Sequence, residues 1–339
     1  MKAATVRGYW STNIGNSLFQ ISAQGLLKDL GLKTIWVPDV PGYINVKKGN
    51  PNTYFEFLDH LDIDFLCIQG PFFRKEFDRI YLDLLQKASS RGIKIIGLGV
   101  GAMHYDSLSI QYYKNWIEKI NFSFISTRDR LTYDFLQPHI KNLHDGIDLG
   151  FLIRYYAPQP KFINNEKVVC FNFDQIPEIK LFKTQHGEIK IGSENYGYKK
   201  SFSGEPKGIL KKAMPYILPY FKKYTISEIE NFKIIRTDHR FNPYSRKKIY
   251  NNPNSFAMDT PDGYLLAYAN SELTLSNRVH ANVATLSYGN RAMYFSNSKR
   301  AKLIDRVGLG EIYNKPMILN LDFLEQEKSN LLEAIEKTI

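Results

Sequence analysis

Arg278 and His280 stand two residues apart in LSNRVHANVATLSYGN, 275–290, between a short apolar run and an alanine-rich helical pattern. An arginine presents a planar fork of N–H donors that matches a carboxylate or a phosphate. A histidine exchanges a proton near neutral pH. At the mouth of a helix such a pair either caps and ion-pairs structurally or holds an anion. Asn277 directly precedes the pair, and Lys299 follows the next apolar run, 292–295. If 272–276 and 292–295 are adjacent parallel strands, Arg278, His280 and Lys299 converge on one point. Three such groups at neighbouring strand ends favour the anion site over a structural role.

Further polar and glycine-containing turns lie upstream. WSTNIGNSLFQ, 10–20, sets Asn13, Gly15 and Asn16 just before a helical pattern, where free backbone N–H groups suit an anion or a polar sugar group. Asn16 or Ser17 would serve equally as a plain N-cap. In GLGVGAMHYD, 97–106, Gly99 allows close approach of a ligand or simply of the next element. In ISTRDRL, 125–131, Ser126 or Thr127 would cap the next helix and Asp129 would favour its positive end. Arg128 is then either exposed to solvent or aimed at the edge of a sheet. Asp148 pairs with Asp145 in DGID, but no ladder of ligands surrounds them, so no metal site is expected. There is no GxSxG elbow and no HExxH, and neither Cys67 nor Cys170 has a neighbouring His. With no CxxC spacing, these two cysteines exclude a disulfide scaffold or structural zinc and fit a reducing compartment.

The elements that must position these groups alternate. Strand patterns at 4–9, 33–37, 65–68, 94–100 and 122–126 are separated by helical patterns at 17–30, 55–61, 74–90 and 109–119, with another helix after 129. A proline-containing linker, 156–160, precedes strands at 167–173, 232–236, 272–276 and 292–295, with helices at 207–223, 263–269 and 280–287. A last helix, 322–337, aligns Leu324, Leu331 and Ile335 on one face. Such alternation implies parallel βαβ units. The fold class is therefore α/β, with two Rossmann-like domains, 1–160 and 161–339, facing a cleft where ligands lie beyond the carboxyl ends of the strands.

The net charge of +11 is concentrated: 179–250 holds 13 Lys and 3 Arg against 6 acidic residues, a balance of +10. This segment is either a solvated basic surface or a contact for something anionic. Its aromatic piece AMPYILPYFKKY, 213–224, suits a membrane interface. No helix-turn-helix, zinc or RNP pattern supports a nucleic-acid partner. No run approaches the roughly 18 apolar residues of a membrane span, and the N-terminal stretch lacks the apolar core of a signal peptide. A cytoplasmic protein, peripheral at most to the inner membrane face, is the expectation.

The order of these motifs resembles that of the polysaccharide pyruvyl transferase family. The family's Asn-x-Gly-Asp, glycine-rich turn, Ser-x-Arg-Asp, following Asp, Arg-x-His and downstream Lys correspond to Asn13-Ile-Gly15-Asn16, Gln69-Gly70-Pro71, Ser126-Thr-Arg128-Asp129, Asp148, Arg278-Val-His280 and Lys299. Asn16 stands where the family usually has Asp, and Gln69-Gly70-Pro71 replaces a run of glycines. The resemblance implies a glycosyltransferase-B-like arrangement, with the last helix crossing back onto the first domain. It implies transfer of a pyruvyl group from phosphoenolpyruvate to a sugar as a cyclic ketal, with release of phosphate and no cofactor or metal. Arg278, His280, Lys299 and Asn277 would bind the donor, with His280 and Arg278 catalytic. Asn13, Gly15, Asn16, Gly99, Arg128, Asp148 and His239 would line the acceptor side or the cleft, with Asp148 or His239 as base. The acceptor would be a surface polysaccharide or its lipid-linked precursor. Two other readings are a glycosyltransferase of the same architecture using a nucleotide sugar, and a basic nucleic-acid or membrane-binding protein.

Overall fold

The computed structural model describes residues 1–6, 13–37, 57–75, 81–163, 166–173, 181–183, 189–191, 228–229, 232–239, 254–258, 260–296 and 301–338. Six strands form the first sheet: β1 (Lys2–Val6), β2 (Lys33–Val37), β3 (Phe65–Gln69), β4 (Lys94–Val100), β5 (Phe122–Thr127) and β6 (Leu143–His144). Their order is β2-β1-β3-β4-β5-β6, and every pairing is parallel. Helices α1 (Ile14–Asp29), α2 (Asp83–Ser90), α3 (Ser107–Ile117) and α4 (Arg130–Leu136) connect them. All five residues of β3 (FLCIQ) are buried, as expected of a central parallel strand covered on both faces. A 3-10 turn (Leu149–Leu152) and the short helix α5 (Ile153–Tyr156) lead out of this half.

The second sheet comprises β7 (Lys167–Asn172), β10 (Glu228–Ile229), β11 (Phe232–Thr237), β12 (Ser255–Phe256), β13 (Ser271–Ser276) and β14 (Arg291–Tyr294). Its order is β10-β11-β7-β13-β14, with β12 beside β11 and only β10 antiparallel. A separate two-stranded ribbon pairs β8 (Leu181–Lys183) with β9 (Ile189–Ile191). Helices α6 (Asp262–Asn270), α7 (Val279–Ser287), α8 (Lys302–Arg306) and α9 (Leu321–Glu336) complete the chain. In both sheets the chain winds outward from one strand in two directions, so each has a switch point where its carboxyl ends diverge.

The two sheets share a core. Ala3, Phe65, Ile96 and Phe124 of the first sheet cluster with Val283 and Leu286 of α7 and with Ala292 and Tyr294 of β14. Leu324, Leu331 and Ile335, all on one face of α9, belong to the same cluster, which packs this C-terminal helix against the first half. Helix α1 serves both halves: Phe19, Ala23 and Leu26 face the first sheet, whereas Ile14 and Leu18 pack with Val168, Cys170 and Tyr264. Both cysteines are free and buried, one under each sheet.

Three boundaries differ from the sequence reading. The strand expected from 4 starts at Lys2 and is described as far as Val6, 7–9 lying outside the described residues. Of the helix expected from 74, Arg74 and Lys75 are not helical, 76–80 lie outside the described residues, 81–82 are helical and the α-helix proper is Asp83–Ser90. Helix α1 starts at Ile14, so Asn16 and Ser17 lie inside its first turn and Asn13 holds the N-cap position without a side-chain cap bond. The helix expected at 207–223, the aromatic piece at 213–224 and most of the basic segment 179–250 lie outside the described residues. Among those described, no helix is long and apolar enough to cross a membrane.

Candidate active site

At the carboxyl edge of the second sheet, β13 ends in Ser276 and the chain turns through Asn277 and Arg278 into α7. The turn is fixed locally. Ser276 Oγ accepts from the Arg278 backbone N–H at 2.8 Å, and Asn282 Nδ2 donates to the Arg278 carbonyl at 3.2 Å. Small residues let α7 sit tightly on the core, with Ala281 and Ala284 fully buried. His280 is therefore carried on the first helical turn, its ring aimed at the first sheet.

The opposing edge supplies charge. Arg128 follows β5 and is 1% exposed, so the solvent-exposed alternative does not hold. A side chain on Gly101 would collide with its guanidinium, so a glycine there makes the room it occupies. Asp129, not Ser126 or Thr127, caps α4 by accepting from the Thr132 N–H at 2.8 Å. The Tyr105 hydroxyl also donates to Asp129, at 2.8 Å. Asp148 is fully buried and accepts from the Gly150 N–H at 2.9 Å through Oδ1. Its other oxygen, Oδ2, lies 3.6 Å from Arg128 Nη1 and 3.6 Å from His280 Nε2. Those distances are ion-pair contacts, too long for hydrogen bonds. Arg128 Nε lies 3.6 Å from a second buried carboxylate oxygen, Asp129 Oδ2. Arg128 Nε and Nη2, Asp148 Oδ2 and His280 Nε2 are buried without hydrogen-bond partners. The Asp148 carboxylate thus faces a guanidinium from the first sheet and an imidazole from the second.

The His280 ring is held on two further sides. Phe19 meets it edge to face with centroids 5.0 Å apart. Gly15 lies so close that a Cβ there would be 2.5 Å from His280 Nδ1. Three residues of the Asn13-Ile-Gly15-Asn16 motif thereby find their places. Gly15 backs the histidine, and Asn13 Nδ2 reaches Asn16 Oδ1 at 3.5 Å.

A cleft of about 150 Å³ opens between the two edges. Asn13, Arg128, His239, Asn277, Arg278 and His280 all line it, drawn from both halves. Asp148 sits behind His280 rather than on the surface of the cleft, and Gly99 packs against Leu149 with φ +56°. Asn16 is not among the lining residues, and Lys299 lies outside the described residues. His239 follows β11 and is 1% exposed, with the Tyr268 hydroxyl 2.5 Å from its Nε2. Burial, then the nearby Arg278 and His280, pushes its imidazole well below the usual value, which keeps it neutral. Among the described residues no group of His, Cys, Asp and Glu is arranged to hold a metal ion.

Sequence reasoning missed several residues. Phe19, Tyr294 and Ser296 also line the cleft, alongside Pro71 of the Gln69-Gly70-Pro71 turn, and Tyr268, Thr237 and Asn172 stand behind His239. Ser296 and Asn172 sit just beyond or at the ends of strands the sequence reading did recognise. Phe19 and Tyr268 carry ordinary core periodicity, which gives no functional signal.

Several solved structures share the fold. A UDP-GlcNAc 2-epimerase from Neisseria meningitidis bound to UDP-GlcNAc is 14% identical and matches at a TM-score of 0.50, over 99% of this chain and 100% of that one. An S. aureus MnaA–UDP complex is 12% identical at a TM-score of 0.51, over 98% and 87% of the two chains. A putative UDP-N-acetylglucosamine 2-epimerase from Listeria monocytogenes is 10% identical at 0.51, over 98% and 88%. At such identities the likeness establishes a glycosyltransferase-B-like fold of two Rossmann-like domains and nothing of the chemistry. No curated protein matches the sequence. The profile of the polysaccharide pyruvyl transferase family matches residues 13–299, from the asparagine at the head of α1 to the lysine beyond β14. The chain belongs to that family and is a transferase.

Proposed function

We propose that this protein transfers a pyruvyl group from phosphoenolpyruvate to two hydroxyls of a sugar in a surface polysaccharide or its lipid-linked precursor. The cyclic ketal forms with release of phosphate. One observation carries the reading. Arg128 from the first sheet and Arg278 and His280 from the second face a single small cleft, and Arg128 has two buried nitrogens, Nε and Nη2, without hydrogen-bond partners, Nε having only the Asp129 carboxylate at 3.6 Å. A ligand carrying both a carboxylate and a phosphate suits two guanidinium groups on opposite walls.

The chemistry follows from those positions. A proton delivered to the methylene carbon of the donor makes the adjacent carbon electrophilic. One sugar hydroxyl attacks it, phosphate departs as the C–O bond breaks, and the second hydroxyl closes the ring. The two hydroxyl protons leave, one making good the proton spent on the methylene and one departing with phosphate or solvent. Cations held in a desolvated cleft stabilise the departing phosphate more strongly than they would in water. His280, with the Asp148 carboxylate behind it, is the group that supplies the proton. Lys299 would join the donor side. Residues 1–160 would form the acceptor side and 161–339 the donor side, with the basic segment 179–250 resting on an anionic membrane surface.

Incubation with phosphoenolpyruvate and a panel of galactosides and hexosamine-linked lipids tests this. Phosphate release with a ketal mass gain on the acceptor is expected, together with thermal stabilisation by phosphoenolpyruvate and not by UDP-sugars. His280→Ala should abolish turnover and leave the melting temperature little changed. Turnover of a nucleotide sugar without consumption of phosphoenolpyruvate would overturn the proposal.

A further inference from the structure

Behind His239 runs a chain of buried polar groups whose directions are fixed by chemistry. Asn172, at the end of β7, donates from Nδ2 to Thr237 Oγ1 at 2.9 Å and to the Thr237 carbonyl at 2.9 Å. An amide nitrogen only donates, so it occupies an acceptor site of the threonine hydroxyl. Thr237 Oγ1 in turn lies 2.8 Å from the Tyr268 hydroxyl, and that hydroxyl lies 2.5 Å from His239 Nε2. All these residues are at most 5% exposed, so an unmade bond anywhere in the chain carries the full cost of desolvation. Only one arrangement uses both hydroxyl hydrogens. Thr237 donates to Tyr268, and Tyr268 donates to His239 Nε2, which leaves only the ring proton on the cleft side without a protein partner among the described residues. Reversing it strands the threonine proton behind the ring, without an acceptor among the described residues.

The consequence falls on the other ring nitrogen. If Nε2 accepts, the neutral imidazole carries its proton on Nδ1. Nδ1 makes no hydrogen bond to the described residues, and the ring lines the cleft beside Arg278 and His280. The Tyr264 ring packs edge to face against it at 4.8 Å and restricts its rotation. We infer that His239 is not a general base but a fixed, uncharged Nδ1–H donor to an anionic oxygen of the ligand, with Tyr268, Thr237 and Asn172 as the positioning residues that set its tautomer. This rests on the proposal of an anionic donor in the cleft and corrects the expectation that His239 accepts a proton. Such a donor adds a directed bond to an anion already faced by cations, without adding another charge that would repel them.

The experiment is nitrogen NMR of ¹⁵N-histidine-labelled full-length protein, with His239 identified among the seven histidines by the signal lost in His239→Asn. A protonated Nδ1 and a bare Nε2 are expected at neutral pH, the tautomer that free histidine disfavours. Titration with phosphoenolpyruvate, and separately with inorganic phosphate, should shift the Nδ1–H resonance. Tyr268→Phe should lose the tautomer preference. His239→Phe should bind phosphoenolpyruvate about tenfold to a hundredfold more weakly, as for a lost hydrogen bond to a charged group. His239→Asn, whose Nδ2 overlies the ring Nδ1, should bind within about threefold of the parent on the same reasoning. A protonated Nε2, or an imidazolium, in the parent protein overturns the inference. So does the expected tautomer with an Nδ1–H signal that neither anion moves. If pyruvyl transfer is still measured in either case, the functional reading stands and only the role of His239 falls.

Discussion

Gly15→Ala separates catalysis from stability in a single methyl group. The new Cβ would lie 2.5 Å from Nδ1 of His280, whereas ordinary contact begins at 3.4 Å, so the ring must retreat by about 0.9 Å. It has somewhere to go, because the His280 side chain is 15% exposed and stands on the wall of an open cleft. Backbone strain does not intervene, since Gly15 lies within α1, where alanine is favoured over glycine by up to ~1 kcal/mol. A misplacement near 1 Å costs on the order of 10²-fold in rate, which is about 2.7 kcal/mol of transition-state stabilisation. The retreat also breaks the edge contact with Phe19 and lengthens the 3.6 Å approach to Asp148. Steady-state phosphate release should therefore show kcat reduced roughly a hundredfold. The melting temperature should stay within a few degrees of the parent. Phosphoenolpyruvate affinity should fall less than kcat. Parental kcat in the alanine variant would refute the reasoning, because His280 would then tolerate displacement. Loss of the folded state would refute it too, because the ring would have had nowhere to move.

Two other outcomes follow from the same contacts. Arg128→Met removes the guanidinium that faces two buried carboxylates, Asp129 and Asp148, each at 3.6 Å, so urea unfolding should show a loss of about 3–5 kcal/mol. The double variant Arg128→Met with Asp148→Asn should recover the part of that loss due to Asp148 while remaining inactive; no recovery would mean that Arg128 and Asp148 are not coupled. The second outcome concerns pH. Because the folded-state pKa of His239 is depressed well below 6.5, by burial first, the unfolded chain binds the extra proton. Stability is fully present above the unfolded value and is lost as pH falls from about 6.5 toward the folded value, with a limiting slope near 1.4 kcal/mol per pH unit for one group. His239→Asn should flatten the unfolding free energy over that window, and an unchanged slope would show that His239 binds its proton as readily in the fold as in the unfolded chain.

Much of the architecture was legible because period and length speak for themselves. The runs KTIWV, FLCIQ, KIIGLGV and KVVCFN are short, apolar and bounded by turn residues, and each is a strand of a parallel sheet. The Arg-x-His pair was legible for the same reason, since β13 and α7 fall within a residue of their expected ends. What failed was anything decided by tertiary contact. Nothing local in STRDR tells a buried arginine from an exposed one; the burial of Arg128 depends on a glycine 27 residues earlier and a carboxylate 20 residues later. Asn16 and Ser17 compete equally for the N-cap in sequence, and the backbone instead starts the helix early enough to put Asn13 there. The support behind His239 was invisible because Asn172, Thr237 and Tyr268 lie on three separate elements.

Desolvation explains why so much support surrounds so few groups. A buried carboxylate facing a guanidinium and an imidazole at 3.6 Å is costly to form and contributes little net stability compared with a packed apolar cluster. Its place beside the cleft makes sense if Arg128 and His280 must stay oriented for something other than folding. Asp148 is held from below by the Gly150 N–H, so it meets both groups from a fixed point. Arg128 comes from the first sheet and His280 from the second, and this one carboxylate ties their positions together across the boundary between the halves. Any relative movement of the two sheets would therefore change the spacing of Arg128 and His280. The shared core formed by α1, α7, β14 and α9 opposes such movement, and that places part of the site's geometry under the control of residues far from it.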